Sequence, residues 1–236
     1  MGKFAPSPLD QRAQAVADRL TRASKRQQLP GALPMLGQAV RSKLRDGTWD
    51  PTMSEPGKRF LADKYVALDP EKAALCYLLC RSLDARRVVE VGTSYGVSTI
   101  YLASAIRDNL AAAPGESGTV IGTEHEPAKV AAAREHLVEA GVADYADILA
   151  GDLRETLPAV DGPIDFVLVD IWIPMAEPAL RILEPKLRRG ALVVCDNIVS
   201  GASSYRAYTD YVRDPDGPFQ SVTVPGRGGI EVSMKR

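Results

Sequence analysis

From residue 86 onward, short apolar runs alternate with stretches of helical periodicity. Residues 87–91 (Arg-Val-Val-Glu-Val), 119–123, 165–169 and 191–195 are near-continuous apolar runs bounded by glycine or aspartate, the pattern of buried strands. A weaker strand is expected at 146–149. Between them, helices are predicted at 98–106, 127–139 (closed by Gly141), 176–187 and 203–213. Two closing strands, 219–224 and 229–234, are joined by Pro225-Gly-Arg-Gly-Gly229, a connection short enough for a hairpin. Alternation of this kind predicts an α/β fold: a Rossmann-like, doubly wound and mostly parallel sheet with helices on both faces and an antiparallel edge hairpin.

The chain before residue 86 reads differently. Residues 10–28 form a polar helical pattern, and Pro30, Gly31, Pro34 and Gly37 are expected to break it over 29–37. A second helix is expected at 37–45, then a loop at 46–57. Asp69-Pro70-Glu71 opens a further helix, with a capping aspartate, proline at the first position and an acid in the first turn. The expected organisation is an N-terminal helical segment, residues 1–65, serving as a lid or dimer surface, and a main domain, residues 66–236.

Composition narrows the class. With 236 residues, 45% of them hydrophobic, the chain can bury one sizeable core. A formal net charge of -1 gives no basic excess for nucleic acid or an anionic membrane. The cluster Arg12, Arg19, Arg22, Lys25 and Arg26 reads as the solvated face of a helix. No apolar run approaches the roughly 20 residues of a membrane span, so a cytoplasmic protein is expected. Three cysteines, Cys76, Cys80 and Cys195, make no disulfide framework and read as buried thiols.

In open α/β sheets, ligands bind beyond the carboxyl ends of the strands. After the first strand comes Gly92-Thr-Ser-Tyr-Gly96-Val-Ser98, a glycine turn opening a helix whose free N–H groups suit an anion. Its spacing is not G-x-G-x-x-G, which disfavours a dinucleotide. After the second strand, Glu124 is placed to hold the hydroxyls of a ribose. After the third, Asp152 follows Gly151, where a carboxylate can accept from an adenine amino group. The glycine turn has an ordinary structural reading as a bare turn, and Glu124 one as a surface acid.

Taken together, residues 66–236 resemble the class I methyltransferases, and more narrowly the small metal-dependent O-methyltransferases of the catechol and caffeoyl-CoA group. The resemblance rests on Val88-Val-Glu-Val-Gly-Thr-Ser-Tyr-Gly-Val-Ser98, Glu124, Gly151-Asp152, Leu168-Val-Asp-Ile-Trp172 and Cys195-Asp-Asn197. It implies S-adenosylmethionine as methyl donor, with Glu90, Gly92 and Ser98 at its methionine part and Glu124 at the ribose. Asp152 would face the adenine, Asp170 and Trp172 would flank the cofactor, and Val66 and Leu68 would lie over it. The acceptor would be the hydroxyl of a small molecule and the assembly a homodimer.

Asp170 ends one strand, and Asp196 and Asn197 end the next. Side by side, two carboxylates and an amide make a hard oxygen site suited to a divalent metal ion, Mg²⁺ foremost, and Asp170 becomes the candidate catalytic residue. Such an ion lowers the pKa of an acceptor hydroxyl. Family members resembling catechol O-methyltransferase carry a lysine base just past the tryptophan, where this chain has Ile173 and Pro174. His125 and His136 fall on the ribose side and do not replace it. Trp49, Met53, Tyr65, Tyr205 and Tyr208 are candidates to line the acceptor pocket or simply to pack. The alternatives left open are a metal-free methyltransferase acting on nitrogen or a sugar hydroxyl, a dinucleotide-dependent oxidoreductase, and a cofactor-binding protein without catalysis.

Overall fold

The computed structural model describes residues 7–46 and 67–236. Helix α1 (Gln11–Asp46) is followed by α2 (Pro70–Ser82), then β1 (Arg87–Val91), α3 (Val97–Ala111), β2 (Thr119–Glu124), α4 (Pro127–Ala140), β3 (Ala146–Ala150) and the single turn α5 (Leu153–Thr156). The chain continues with β4 (Ile164–Val169), α6 (Ile173–Leu183), β5 (Leu187–Asp196), α7 (Arg206–Arg213), β6 (Phe219–Val224) and β7 (Ile230–Lys235). Seven strands form one sheet in the order β3-β2-β1-β4-β5-β7-β6. The first five are parallel, and β7 runs antiparallel to both β5 and β6. Strand order reverses between β1 and β4, so the switch point lies there.

The sheet separates two apolar layers. Val88 of β1, Phe166 and Leu168 of β4 and Val194 of β5 pack with α1, α2, α3 and α4 on one face. Val89, Val91, Val167, Val169, Val193 and Cys195 pack with α6 and α7 on the other. Side chains alternate along a strand, so Glu90, Asp170 and Asp196 continue the face that α2 covers. Tyr205 and Tyr208 are buried in the opposite layer, stacked edge to face, and are core residues.

Two expectations are corrected. The break at residues 29–37 does not occur, because α1 runs unbroken from Gln11 to Asp46 through Pro30 and Pro34. A proline forfeits one hydrogen bond and crowds the carbonyl four residues back, which bends a helix without necessarily ending it. Helix α6 starts at Ile173, three residues earlier than its apolar periodicity suggests. Pro174 sits in its first turn, where a missing N–H costs nothing. The N-terminal part of the segment expected as a lid also shares the main core: Ala13, Val16, Ala17 and Leu20 are all but fully buried. Arg12 donates to the carbonyls of Glu139 at 2.6 Å and Val138 at 2.8 Å, and so closes the C-terminus of α4. Arg19 pairs with Glu139. Arg12 and Arg19 make these contacts while remaining exposed, as do Arg22, Lys25 and Arg26, so the basic face of α1 is solvated. Among the described residues, no helix is long and apolar enough to cross a membrane.

Candidate active site

The carboxyl edge of the sheet carries, in spatial order, Gly151-Asp152, Glu124, Gly92, Asp170 and Asp196. Gly92 and Asp170 straddle the switch point. The Asp170 N–H donates to the Val91 carbonyl at 3.0 Å, which locks the two strand ends together. Gly92 has φ +97°, and a Cβ there would sit well inside contact distance of the Asp170 carbonyl oxygen. Only glycine fits this turn. A small recess opens beside it, lined by Ala67, Gly92, Thr93, Tyr95, Val97, Ser98 and Asp170. The structure thus brings Gly92, Ser98 and Asp170 to one place, with Leu68 buried next to Ala67.

Glu90 lies fully buried beneath the recess. Its Oε2 accepts from the Thr93 hydroxyl at 3.0 Å and from the Thr99 hydroxyl. Burial raises its pKa, against hydrogen bonds from Ser98, Thr99 and Thr93 that hold it down. Helix α3 begins at Val97, and both Val97 and Ser98 line the recess, so its unpaired first-turn N–H groups lie beside it.

Glu124, at the end of β2, is tied into the same loops. One oxygen accepts from the Ser94 N–H at 2.8 Å and the other from the Glu126 N–H at 2.9 Å. A carboxylate has about four lone-pair positions, so two remain. Asp152 caps α5 by accepting from the Arg154 N–H at 2.9 Å, and its carboxylate also pairs with the Arg154 guanidinium. Those bonds hold its pKa down at about 2. Trp172 is the half-buried N-cap of α6, and the Met175 N–H donates to its carbonyl at 2.8 Å. Val66, Trp49, Met53 and Tyr65 lie outside the described residues.

On the acceptor side, β4 and β5 pair with Val169 opposite Cys195, so Asp170 and Asp196 are level on neighbouring strands. The Asp170 carboxyl is pushed up to about 8 by burial and by the charges of Asp196 and Glu90. Asp196 is raised as well, chiefly by burial, although Lys72 opposes it. Lys72 escaped the sequence reading. Its ammonium is ion-paired with Asp196, the two side chains being 14% and 7% exposed. The available signal was its spacing: Lys72, Cys76 and Cys80 share one face of α2, and cysteines so placed turn that face inward. Asn197 is exposed in the left-handed region (φ +61°), with its amide oxygen against Gly228 of the β6–β7 hairpin. Among the described residues, no group of three or more histidines, cysteines or acids is placed to hold a metal ion.

A parallel sheet with this strand order, a glycine turn at the switch point and acids at successive strand ends defines the architecture of class I S-adenosylmethionine-dependent methyltransferases. Comparison with known proteins agrees. Residues 89–198 match the family model described as a methyltransferase domain. The chain is 34% identical to a catechol O-methyltransferase of Mycobacterium tuberculosis over 58% of its own length, and 28% identical to one of Niastella koreensis over 57%. It covers 59% of each of these relatives. The O-methyltransferase TomG of Streptomyces achromogenes, solved with SAM, superposes with a TM-score of 0.65 at 25% identity, over 75% of this chain and 85% of that one. Residues 89–198 thus match a methyltransferase domain, and the chain is similar in sequence and fold to O-methyltransferases.

Proposed function

We propose that the protein transfers a methyl group from S-adenosylmethionine to a hydroxyl of a small molecule. The observation that carries this reading is the recess at the switch point, where Gly92, Ser98 and Asp170 meet. The bound donor supplies an electrophilic methyl on a cationic sulfur. The carboxyl groups of Asp170 and buried Glu90 lie beside the recess, and a cationic sulfur there would favour their charged forms. Ser98 and the first-turn N–H groups of α3 receive the carboxylate of its methionine part. Glu124 keeps two lone pairs for the ribose hydroxyls while holding the turn. Asp152 meets the adenine from its capping position, and Trp172, Leu68 and Val66 cover the cofactor. Names of relatives that specify catechol or other O-methyl transfer support a hydroxyl acceptor.

A divalent ion, Mg²⁺ foremost, is the finer part of the reading. What supports a cation is that Asp170 and Asp196 sit level on neighbouring strands and that Asp196 already draws in the Lys72 ammonium. Asp170, Asp196 and Asn197 would hold the ion, which would lower the pKa of an acceptor hydroxyl, roughly 10 for a phenol. Ile173 stands where the resembling catechol O-methyltransferases carry a lysine base. Residues 1–65 we assign to acceptor enclosure and to a homodimer contact, with no role for nucleic acid or membrane.

The test is transfer of a labelled methyl group from S-adenosylmethionine to catechol and a panel of small phenols and alcohols, with and without chelator. Transfer to oxygen that is lost in chelator supports both parts. Full transfer in chelator, with Asp196→Ala also active, rejects the metal part. Transfer to nitrogen alone rejects the hydroxyl acceptor.

A further inference from the structure

Helix α2 presents Lys72, Cys76 and Cys80 at four-residue spacing, and both cysteines are fully buried against the sheet. The same sheet face carries Glu90, Asp170 and Asp196 on the three adjacent strands β1, β4 and β5. Lys72 is thereby carried into an acidic cluster. Its ammonium rests on Asp196, mostly out of solvent, and its charge is felt at Asp170. A lysine on a solvated helix face would keep its head in water. Here the side chain is drawn inward by opposite charge. Asp196 is one of the three residues assigned above to a divalent ion, so the ammonium and the ion claim the same carboxylate.

We propose that Lys72 is a built-in counter-ion that competes with a divalent cation for Asp196, so that an ion enters only as the ammonium leaves. The inference rests on the assignment of Asp170, Asp196 and Asn197 as a cation site. Lys72 supplies one positive charge at Asp196, and its removal leaves the pair of carboxyl groups one charge more favourable to an ion of charge +2. Burial makes the difference large, because charges there are poorly screened. The arrangement gives the chain a weak cation site in which Asp196 keeps a counter-charge. It thereby avoids the cost of two buried carboxylates facing each other unpaired.

The experiment measures Mn²⁺ binding to the full chain, by electron paramagnetic resonance of the free ion, for wild type, Lys72→Met, Lys72→Arg and Asp196→Asn. Lys72→Met should bind Mn²⁺ at least about ten-fold more tightly than wild type, Lys72→Arg should match wild type, and Asp196→Asn should bind least. Thermal melts should agree, with Mn²⁺ raising the melting temperature more in Lys72→Met. If Lys72→Met does not fold, Lys72→Gln, which keeps a donor without the charge, is judged by the same criterion. Equal or weaker binding by the uncharged variant, with wild type binding normally, overturns the competition and leaves the metal site standing. Absence of Mn²⁺ binding in both overturns the competition and the metal site together.

Discussion

Gly92→Ala isolates the geometry on which the site depends. The residue has φ +97°, and an added Cβ would press into the carbonyl of Asp170 and lie 3.0 Å from its carbonyl carbon. Two costs follow. Holding a non-glycine residue in that backbone region costs about 1–3 kcal/mol. Pushing the β4 end away costs another ~1–3 kcal/mol, the range for over-packed interiors. The obstacle is backbone, held by the Asp170-to-Val91 hydrogen bond, so it cannot rotate aside. A combined loss of about 2–6 kcal/mol corresponds to a fall of roughly 5–20 °C in melting temperature for a chain of this size. Gly115 is the control: its φ is +91°, yet nothing lies within 4 Å of an added Cβ. Gly115→Ala carries the backbone strain alone. Thermal melts of the two variants, followed by circular dichroism, measure the difference. The binding of S-adenosylhomocysteine should fall with Gly92→Ala, because Asp170 moves, and stay unchanged with Gly115→Ala. A Gly92→Ala protein no less stable than Gly115→Ala, with normal binding, would refute the account of this turn.

Glu124→Ala should weaken S-adenosylhomocysteine by about 1–3 kcal/mol, the usual range for a lost charged hydrogen-bonding partner, while Glu126→Ala changes little; equal losses by calorimetry would reject the ribose assignment. Glu231 is fully buried on β7 and accepts from Arg213, Ser221 and Thr223 at 2.6–2.8 Å. Burial raises its pKa, but the hydrogen bonds of Arg213, Ser221 and Thr223 outweigh it and the net shift is downward. Its folded pKa therefore lies below the unfolded value, so its stabilisation is present above about pH 4.3 and is lost as pH falls through the folded pKa. Arg213→Met removes the charged donor and leaves the carboxylate only Ser221 and Thr223; with Arg213 itself 45% exposed, it should cost about 1–3 kcal/mol near neutral pH, less in acid, and a variant as stable as wild type at pH 7 would contradict this.

The sheet was legible because each strand announces itself. Runs such as Arg87–Val91 and Ile164–Val169 are too short and too apolar to be anything but buried strands, and each ends at a glycine or an acid. The hairpin at Pro225–Gly229 likewise gave the antiparallel edge. Chain-local signals failed where tertiary contact decides. Pro30 and Pro34 read as a stop, yet α1 continues through them. The carboxylates at the strand ends were visible one by one, and their neighbours were not. Glu124 turned out to hold the N–H groups of Ser94 and Glu126, and Asp152 to hold Arg154. Lys72 lies 124 positions from Asp196 in the chain, and only the packing of α2 over the sheet joins them. Periodicity showed which face of α2 turns inward. It did not show which strand end that face would meet.

The most direct test of the central claim is binding of the cofactor product at the Gly92 recess. S-adenosylhomocysteine at 100 times its dissociation constant stabilises the folded chain by about 2.7 kcal/mol, a rise of roughly 5–11 °C in melting temperature at this size. NAD at the same concentration should give none. A rise with S-adenosylhomocysteine that disappears in Gly92→Val is the expected result. No rise in the wild type, or an equal rise with NAD, would contradict the assignment of this chain as an S-adenosylmethionine-dependent enzyme.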